Sequence, residues 1–528
     1  MISQEEKLYE GLSPFELKNK LIDMASSRNE KRMLNAGRGN PNWLALEPRH
    51  AFFQLGHFAV AESERHLIRP GIGSVPNSDG IISRFDDFLV KHSREPGISL
   101  LKKSLSLVQD VMDIDPGVFL LEMVDGILGD HYPVPDRMLR CSEQIVRDYL
   151  VMEMGSGKRS IETFDLFATE GGTAAMSYVF NSLIENKLLT KGDKIALGTP
   201  IFSPYMEIPL LNDFELVEIE LKQEQDRGWQ YSPQQIEKLA DPDIKAFFVV
   251  NPSNPTSVAI HPESLKAIHK MITTRRADLI LLTDDVYGTF VNGFQSLATV
   301  APNNTILVYS YSKYFGATGW RLGVIGLAQN NIFDTAISAL PRPDQQALWE
   351  RYHKVFLDPK EAKFIDRMVS DSRTVALHHT AGLSTPQQVF MTLLSLSCLV
   401  DTEGNYKQST QDIVIKRFHN LYSALGVSSP DIPLNAHYYT TIDVPRLASE
   451  RYGSDFSKWI VENHEPIDFV WRLAEEKGIV LMDGGGFDAP TMTIRISLAN
   501  LPDQDYVNIG RSIGDLLSNY HKRWKSSL

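Results

Sequence analysis

At 528 residues the chain exceeds the usual span of one domain, and two substantial domains with extensions are expected. Hydrophobic residues at 43% and charged residues at 23% describe a water-soluble globular protein, and a net charge of -13 argues against nucleic acid or an anionic membrane as main partner. Two cysteines, Cys141 and Cys398, supply neither a disulfide framework nor a metal-ligand spacing, which fits a reducing cytoplasm.

The start, Met1-Ile-Ser-Gln-Glu-Glu, lacks the basic stretch and apolar core of a secretion leader. No apolar run reaches membrane-spanning length; Val389 to Val400 is short and contains Ser and Thr, so it predicts a buried helix. Residues 1–34 predict a polar helical arm whose Leu8, Leu12, Phe15, Leu17, Leu21 and Met24 share one face. In Asn35-Ala-Gly-Arg-Gly-Asn-Pro-Asn-Trp43 the glycines allow close backbone approach to a ligand, and Pro41 ends any helix. Residues 45–125 alternate amphipathic helical patterns with charged stretches, as in Leu101 to Met112, and read as a helical insertion at the surface, of the kind that often serves subunit contacts. The turn Asp125 to Pro135 carries Tyr132, which by itself reads equally well as a packing residue.

Phe167-Ala-Thr-Glu-Gly-Gly-Thr-Ala-Ala-Met176 passes from a strand into a helix. Gly171, Gly172 and Thr173 at that helix start offer free N–H groups, a hydroxyl and a favourable dipole to a phosphate. Lys194 to Gly198 predicts a strand ending in Thr199-Pro-Ile-Phe-Ser-Pro-Tyr205. Lys245 to Val250 leads likewise into Asn251-Pro-Ser-Asn-Pro-Thr256, and Leu279 to Thr283 into Asp284-Asp-Val-Tyr287. Polar residues are thus set at the carboxyl ends of buried strands, where an open α/β sheet binds its ligands. Asp285, next to Asp284 in the alternation, is expected to point elsewhere in a structural role.

Ile306-Leu-Val-Tyr-Ser-Tyr-Ser-Lys-Tyr-Phe-Gly-Ala-Thr-Gly-Trp-Arg-Leu-Gly323 has the densest chemistry. A buried strand feeds a loop holding Lys313, whose amine can lose solvation and be held nucleophilic. Ser310, Ser312 and Arg321 add hydroxyls and a fixed cation that suit a phosphate ester. A nucleophilic amine beside a phosphate pocket is what pyridoxal 5'-phosphate requires.

Residues 331–380 read as charged helices, and the adjacent His378 and His379 have no carboxylate or cysteine spacing that would make a metal site. Ser384 caps a helix running to about Val400, and a break at Thr402 to Asn405 opens a C-terminal α/β unit. Its last strand, Met492 to Leu498, carries Arg495, which simple alternation would turn to solvent. The Gly484-Gly-Gly486 loop before it is free to move on ligand binding.

The order and spacing of these segments resemble the fold-type I pyridoxal phosphate enzymes, specifically the class I/II aminotransferases of the aspartate aminotransferase superfamily. The resemblance runs from about residue 35 to 500 and implies an α/β fold. A large domain with a mixed, mostly parallel seven-stranded sheet would be joined by a smaller α/β C-terminal domain and, here, a helical N-terminal insertion. The implied divisions are 1–60 for the arm and substrate loop, 61–125 for the insertion, 126–400 for the cofactor-binding domain and 401–528 for the small domain, which includes part of the N-terminal segment.

On the same resemblance Lys313 binds the cofactor and is catalytic, Asp284 faces the pyridine nitrogen, and Asn254 and Tyr287 face the phenolic oxygen. Phe202 stacks on the ring, with Tyr205 as the alternative, while Gly171, Gly172, Thr173, Ser310, Ser312 and Arg321 hold the phosphate. Arg495, with Asn254, binds the substrate's α-carboxylate, and Gly39 crosses the substrate pocket. Tyr132 reaches the cofactor phosphate of a partner subunit, which makes a homodimer the minimal active unit. Ser257 stands where the family usually has glycine, so a slightly different turn is expected with the role of Asn254 kept.

Within the superfamily the likeness reaches furthest toward the aspartate β-decarboxylases, through residues 35–43, Tyr132 to Leu139 and the long helical N-terminal section. It implies conversion of L-aspartate to L-alanine and CO2 with transamination as a side activity, in a larger homo-oligomer, a dodecamer. Arg38, absent from the usual aminotransferase pattern, is placed to contact a dicarboxylate, and Arg38, Tyr132 and Lys18 are the candidates for tuning the partition. A plain aminotransferase uses every matched residue and is the rival. A transcription regulator with such a domain is disfavoured by Lys313, Asp284 and Arg495 together and by the lack of a basic helix-turn-helix pattern.

Overall fold

The structure is a computed structural model that describes residues 4–9, 11–28, 32–155, 161, 163–207, 215–373 and 382–528. His378 and His379 lie outside the described residues. Its largest sheet has strands β1 (Phe164–Thr169), β2 (Lys194–Thr199), β3 (Val217–Glu224), β4 (Gln230–Tyr231), β5 (Ile244–Val250), β6 (Ile280–Asp284), β7 (Thr305–Ser310) and β8 (Gly323–Ala328). They lie in the order β1-β8-β7-β6-β5-β2-β3-β4. The inner run from β7 to β3 is parallel, and β8 pairs antiparallel with both β1 and β7. Every residue of β6, β7 and β8 is buried, as expected where helices cover both faces of a parallel sheet.

The seven expected strands are joined by an eighth. The two-residue β4 folds back antiparallel on β3 after Gly228 and Trp229, both with positive φ. Two residues carry no readable periodicity, so this edge strand has no sequence signature.

The N-terminal arm contains α1 (Pro14–Arg28), and four helices follow: α2 (Leu46–Glu64), α3 (Ile81–Lys91), α4 (Ile98–Asp110) and α5 (Pro116–Leu128). Local signals bound α5 closely. Asp115 accepts from the Val118 N–H, Pro116 opens the first turn, and Gly129 ends the helix at φ 71. Helices α2 to α5 were expected as a surface insertion, but they are no appendage. Phe52, Leu55, Phe58, Leu101 and Phe119 share one continuous core with Val389, Phe390 and the sheet. A helix stripe that apolar gains more by closing over the sheet domain than by lying on water. The outer faces still expose Phe53, Val60 and Val90, and the connection from α2 to α3 exposes Ile68 and Val75.

A second core belongs to the C-terminal unit, whose three-stranded sheet has the order β9 (Tyr439–Asp443), β11 (Thr493–Ser497), β10 (Met482–Asp483). The arm joins this core through Leu17, Leu21 and Met24, and Ala36 joins it too. Leu34–Asn35 also pairs in parallel with Ile479–Val480, which fixes the glycine-rich segment that follows. No described helix is long and apolar enough to cross a membrane.

Candidate active site

A cavity of about 300 Å³ opens at the carboxyl ends of β5, β6 and β7. Its floor belongs to the large sheet, and its roof comes from the arm, residues Gly37 to Asn40, and β9 and β11. Lys313 lies three residues beyond the end of β7, half-buried, and its Nζ donates to the Gly39 carbonyl at 3.2 Å. Glycine is required at 39, because a Cβ there would lie 2.5 Å from the Tyr439 hydroxyl and 3.1 Å from Lys313 Nζ.

One end of the cavity is built for a phosphate. Helix α6 (Arg140–Met154) packs behind β1, and α7 (Gly172–Glu185) starts at the cavity with Gly171 as an N-cap that offers no side chain. Four N–H groups of a helix's first turn have no intrahelical partner. Gly172 stands against Ser310, whose hydroxyl donates to Ser312 Oγ at 3.0 Å. Gly171 holds φ 95, and any Cβ on it would overlap the guanidinium of Arg321. Arg321 and Thr173 are exposed, and both line the cavity. Amide donors, hydroxyls and a guanidinium that forms no ion pair with a carboxylate among the described residues make an anion cradle.

The floor holds Asp284, the last residue of β6. It accepts from the Tyr205 hydroxyl at 2.7 Å and from the Val286 N–H at 3.1 Å. Burial pushes its carboxyl up to about 6, against the pull of Tyr205, the Val286 amide and Lys313. A cation in the cavity would hold it ionised. Asp285 is buried away from the cavity, bonded to the Thr283 hydroxyl at 2.5 Å, and burial raises it to about 7. The two aromatic candidates both line the cavity. Tyr205 is fully buried by its bond to Asp284, whereas Phe202 is half-buried and stands edge-on to both Tyr205 and Phe15.

The roof is cationic. Arg495 is 2% exposed, against the simple alternation that would turn it to water. The reason is that β11 is the central strand of its sheet, covered on both faces, and all five of its residues are buried. Its Nη1 donates to Asn254 Oδ1 at 3.1 Å and its Nη2 to the Gly37 carbonyl at 2.7 Å, while Nε has no partner among the described residues. The guanidinium lies over the rings of Tyr439 and Phe487. No carboxylate among the described residues neutralises it, and burial lowers its pKa, so a bound anion would relieve a costly arrangement. Arg38 lines the same cavity from an exposed position, and Lys18 joins from the arm. Burial, then Arg38 and Arg495, push the Lys18 ammonium down.

Sequence reasoning missed Tyr438 and Tyr439. The Tyr438 hydroxyl donates to the Gly39 carbonyl at 2.7 Å, and the Tyr439 hydroxyl bonds that of Tyr287 at 3.0 Å. A pair of tyrosines at the edge of a short strand reads as core, and nothing in its spacing points to a ligand. Tyr132 is the one candidate that the fold does not bring in: it lies 70% exposed on its own chain and away from this cavity.

Residues 165–513 match the aminotransferase class I and II family. The chain belongs to this family. Class I and II aminotransferases use pyridoxal 5'-phosphate, and the cavity fits it, with an anion cradle at one end, a buried carboxylate on the floor and a lysine between. The chain is 50% identical over 527 residues to a bifunctional aspartate aminotransferase and L-aspartate beta-decarboxylase from a Pseudomonas species, with 99% of each covered. Nicotianamine aminotransferase B of Hordeum vulgare is 24% identical over 356 residues, 66% of this chain and 54% of that protein. Among solved structures, a single mutant of Thermus thermophilus aspartate aminotransferase superposes with a TM-score of 0.60 at 16% identity, covering 98% of this chain and 99% of that one. The Rhizobium meliloti aspartate aminotransferase gives a TM-score of 0.60 at 15% identity with 96% of each chain covered. These structural likenesses speak for the fold.

Proposed function

We propose that this aminotransferase-family enzyme removes the β-carboxylate of L-aspartate to give L-alanine and CO2, and keeps aspartate aminotransferase activity. One observation carries the reading from the structure: Lys18, Arg38 and Arg495 converge on one cavity roof, opposite Lys313 and Asp284. Three cations at one wall suit a substrate with two carboxylates. The full-length Pseudomonas relative, named for both activities, supports the same pair of reactions.

When bound, pyridoxal phosphate supplies an aldehyde that links to amines and a ring that draws electrons from bonds beside that link. Lys313 would hold it, Gly171, Gly172, Thr173, Ser310, Ser312 and Arg321 would hold its phosphate, and Asp284 would keep its ring nitrogen protonated. Phe202 would face the ring, and Asn254 and Tyr287 its phenolic oxygen. Arg495 grips the α-carboxylate with the two-pronged geometry that Lys cannot offer, and Asn254 fixes that guanidinium. Lys313 would be the base that takes the substrate's α-proton and returns it nearby. Arg38 and Lys18 orient the second carboxylate. Its loss as CO2, with a proton taken up by the β-carbon in its place, leaves alanine; release of the oxo acid before that loss is the transaminase half-reaction.

The assembly is part of the proposal. On the resemblance to the family, a second copy supplies Tyr132 to the neighbouring cavity and a homodimer is the minimal unit; its exposed position is compatible with that role. The exposed Phe53, Val60, Ile68, Val75 and Val90 support association beyond two copies, toward the expected dodecamer. Cys141 and Cys398, buried and unpaired, support a cytoplasmic setting.

The deciding experiment supplies L-aspartate alone to the pyridoxal phosphate-loaded protein. Sustained CO2 release with stoichiometric alanine is expected. One equivalent of oxaloacetate, with turnover restored only by 2-oxoglutarate, would reduce the function to a plain aminotransferase.

A further inference from the structure

Ser257 has a left-handed backbone, φ 64, which glycine adopts freely and serine resists. Such strain persists only where surroundings over-determine it. Here the Ser257 N–H donates to the Ser253 carbonyl at 2.8 Å, and its own carbonyl accepts from the Ala436 N–H at 2.7 Å. Glycine would make both bonds. The third needs a side chain: Ser257 Oγ accepts from the Tyr439 N–H at 2.8 Å, entirely out of water.

That hydroxyl therefore ties the loop after β5 to the first residue of β9, a strand of the C-terminal sheet whose Tyr439 ring packs into the core of the large sheet. Tyr439 is the residue between two functional side chains, its hydroxyl 3.0 Å from that of Tyr287 and its ring 4.5 Å beneath the Arg495 guanidinium. The other groups facing the pair are Tyr438 alongside, Asp284 near Tyr287, and Lys313 across Gly39.

We propose that Ser257 and Tyr439 form a clasp between the loop after β5 and the first strand of the C-terminal sheet, in which Tyr439 is a positioning residue that aims the single proton of Tyr287 at the phenolic oxygen of the cofactor. The inference rests on the functional reading above. Each phenol carries one proton. A Tyr287 that gives its own proton to an oxygen in the cavity must accept one from Tyr439, so the two bonds run in one direction and reinforce each other. Without the Tyr439 hydroxyl, Tyr287 is a weaker and less directed donor. The phenolic oxygen then holds less of its negative charge on the protein and more on the proton of the adjoining lysine link, whose proton affinity rises.

The test is a pH titration of the visible absorbance of the pyridoxal phosphate-loaded protein without substrate. Tyr439→Phe keeps the ring beneath Arg495 and is expected to raise the midpoint by about half a pH unit. Ser257→Ala and Ser257→Gly should move it the same way, although the glycine relieves the backbone strain that the alanine retains. Combining Ser257→Ala with Tyr439→Phe should add nothing to the tyrosine change alone, because both act through one bond. An unchanged midpoint in Tyr439→Phe, or shifts that simply add, overturns the clasp. If the parent protein forms no visible band with pyridoxal phosphate, the functional reading fails with it; a normal parent titration with silent variants sinks the clasp alone.

Discussion

Tyr205 donates its hydroxyl to Asp284 across 2.7 Å, both side chains buried, binding an aromatic loop to the end of a parallel strand. The pair shows how the site holds a charge at cost to the fold.

The first expectation follows from that cost. Burial raises the Asp284 carboxyl from 3.8 to about 6, so the cofactor-free fold binds this proton more tightly than the unfolded chain does. Stability from this group is therefore greatest below 3.8, falls through the window up to about 6, and stays lost above it. The loss is on the order of 3 kcal/mol. Asp284→Asn should stabilise the cofactor-free protein at pH 8 by a similar order, with the advantage gone near pH 4, while turnover drops by at least about a thousandfold. Denaturant unfolding at several pH values checks it, and an advantage independent of pH would contradict it.

Arg495→Lys should raise the KM for L-aspartate by roughly 10- to 100-fold, since one of two parallel charge-assisted bonds is lost. CO2 release and amino transfer should fall together, because both need the α-carboxylate. A change confined to one of them would show that Arg495 serves the other carboxylate.

Arg38→Ala should lower the ratio of alanine to oxaloacetate by about three- to tenfold, the scale for an exposed charge-assisted contact. Lys18 is depressed partly by Arg38, so removing that charge raises its pKa. The alkaline limb of CO2 release should therefore move to higher pH. Product ratios and pH profiles settle both points; unchanged rates would remove Arg38 from the reaction.

Gly171→Ala combines a φ of 95 with a methyl group driven into Arg321. The cofactor's dissociation constant should rise at least about tenfold with the fold intact, read by absorbance titration beside circular dichroism. Retained affinity would place the phosphate elsewhere.

Much of the sheet and its ligand end was legible because buried parallel strands are written as short apolar runs that end in polar residues. Asp284, Asn254, Ser310 and Lys313 could be placed on such ends without knowing what packs above them. Arg495 was legible only through resemblance, since a strand covered on both faces breaks the period-two rule that would turn it outward. Tyr439 was not legible at all: its partner Tyr287 is 152 residues away, and no local pattern encodes so distant a hydroxyl pair. The helices from Leu46 to Leu128 carried the periodicity of an apolar stripe but not the identity of the surface it closes against. For Ser257 the sequence displayed the anomaly and hid its cause. The positive φ is kept, at roughly 1–2 kcal/mol of intrinsic strain, because a hydroxyl is needed on the far side.

The cavity draws its parts from two separately cored bodies. Lys313, Asp284, Asn254 and Tyr287 ride on the sheet, while Lys18, Arg38 and Arg495 ride on the unit that packs the arm against the C-terminal strands. On the proposed function, the cations that grip the amino acid thus stand on one core and the groups that transform it on the other. A substitution in the arm or the last strands would then alter which acid is held without touching the lysine and carboxylate beneath it.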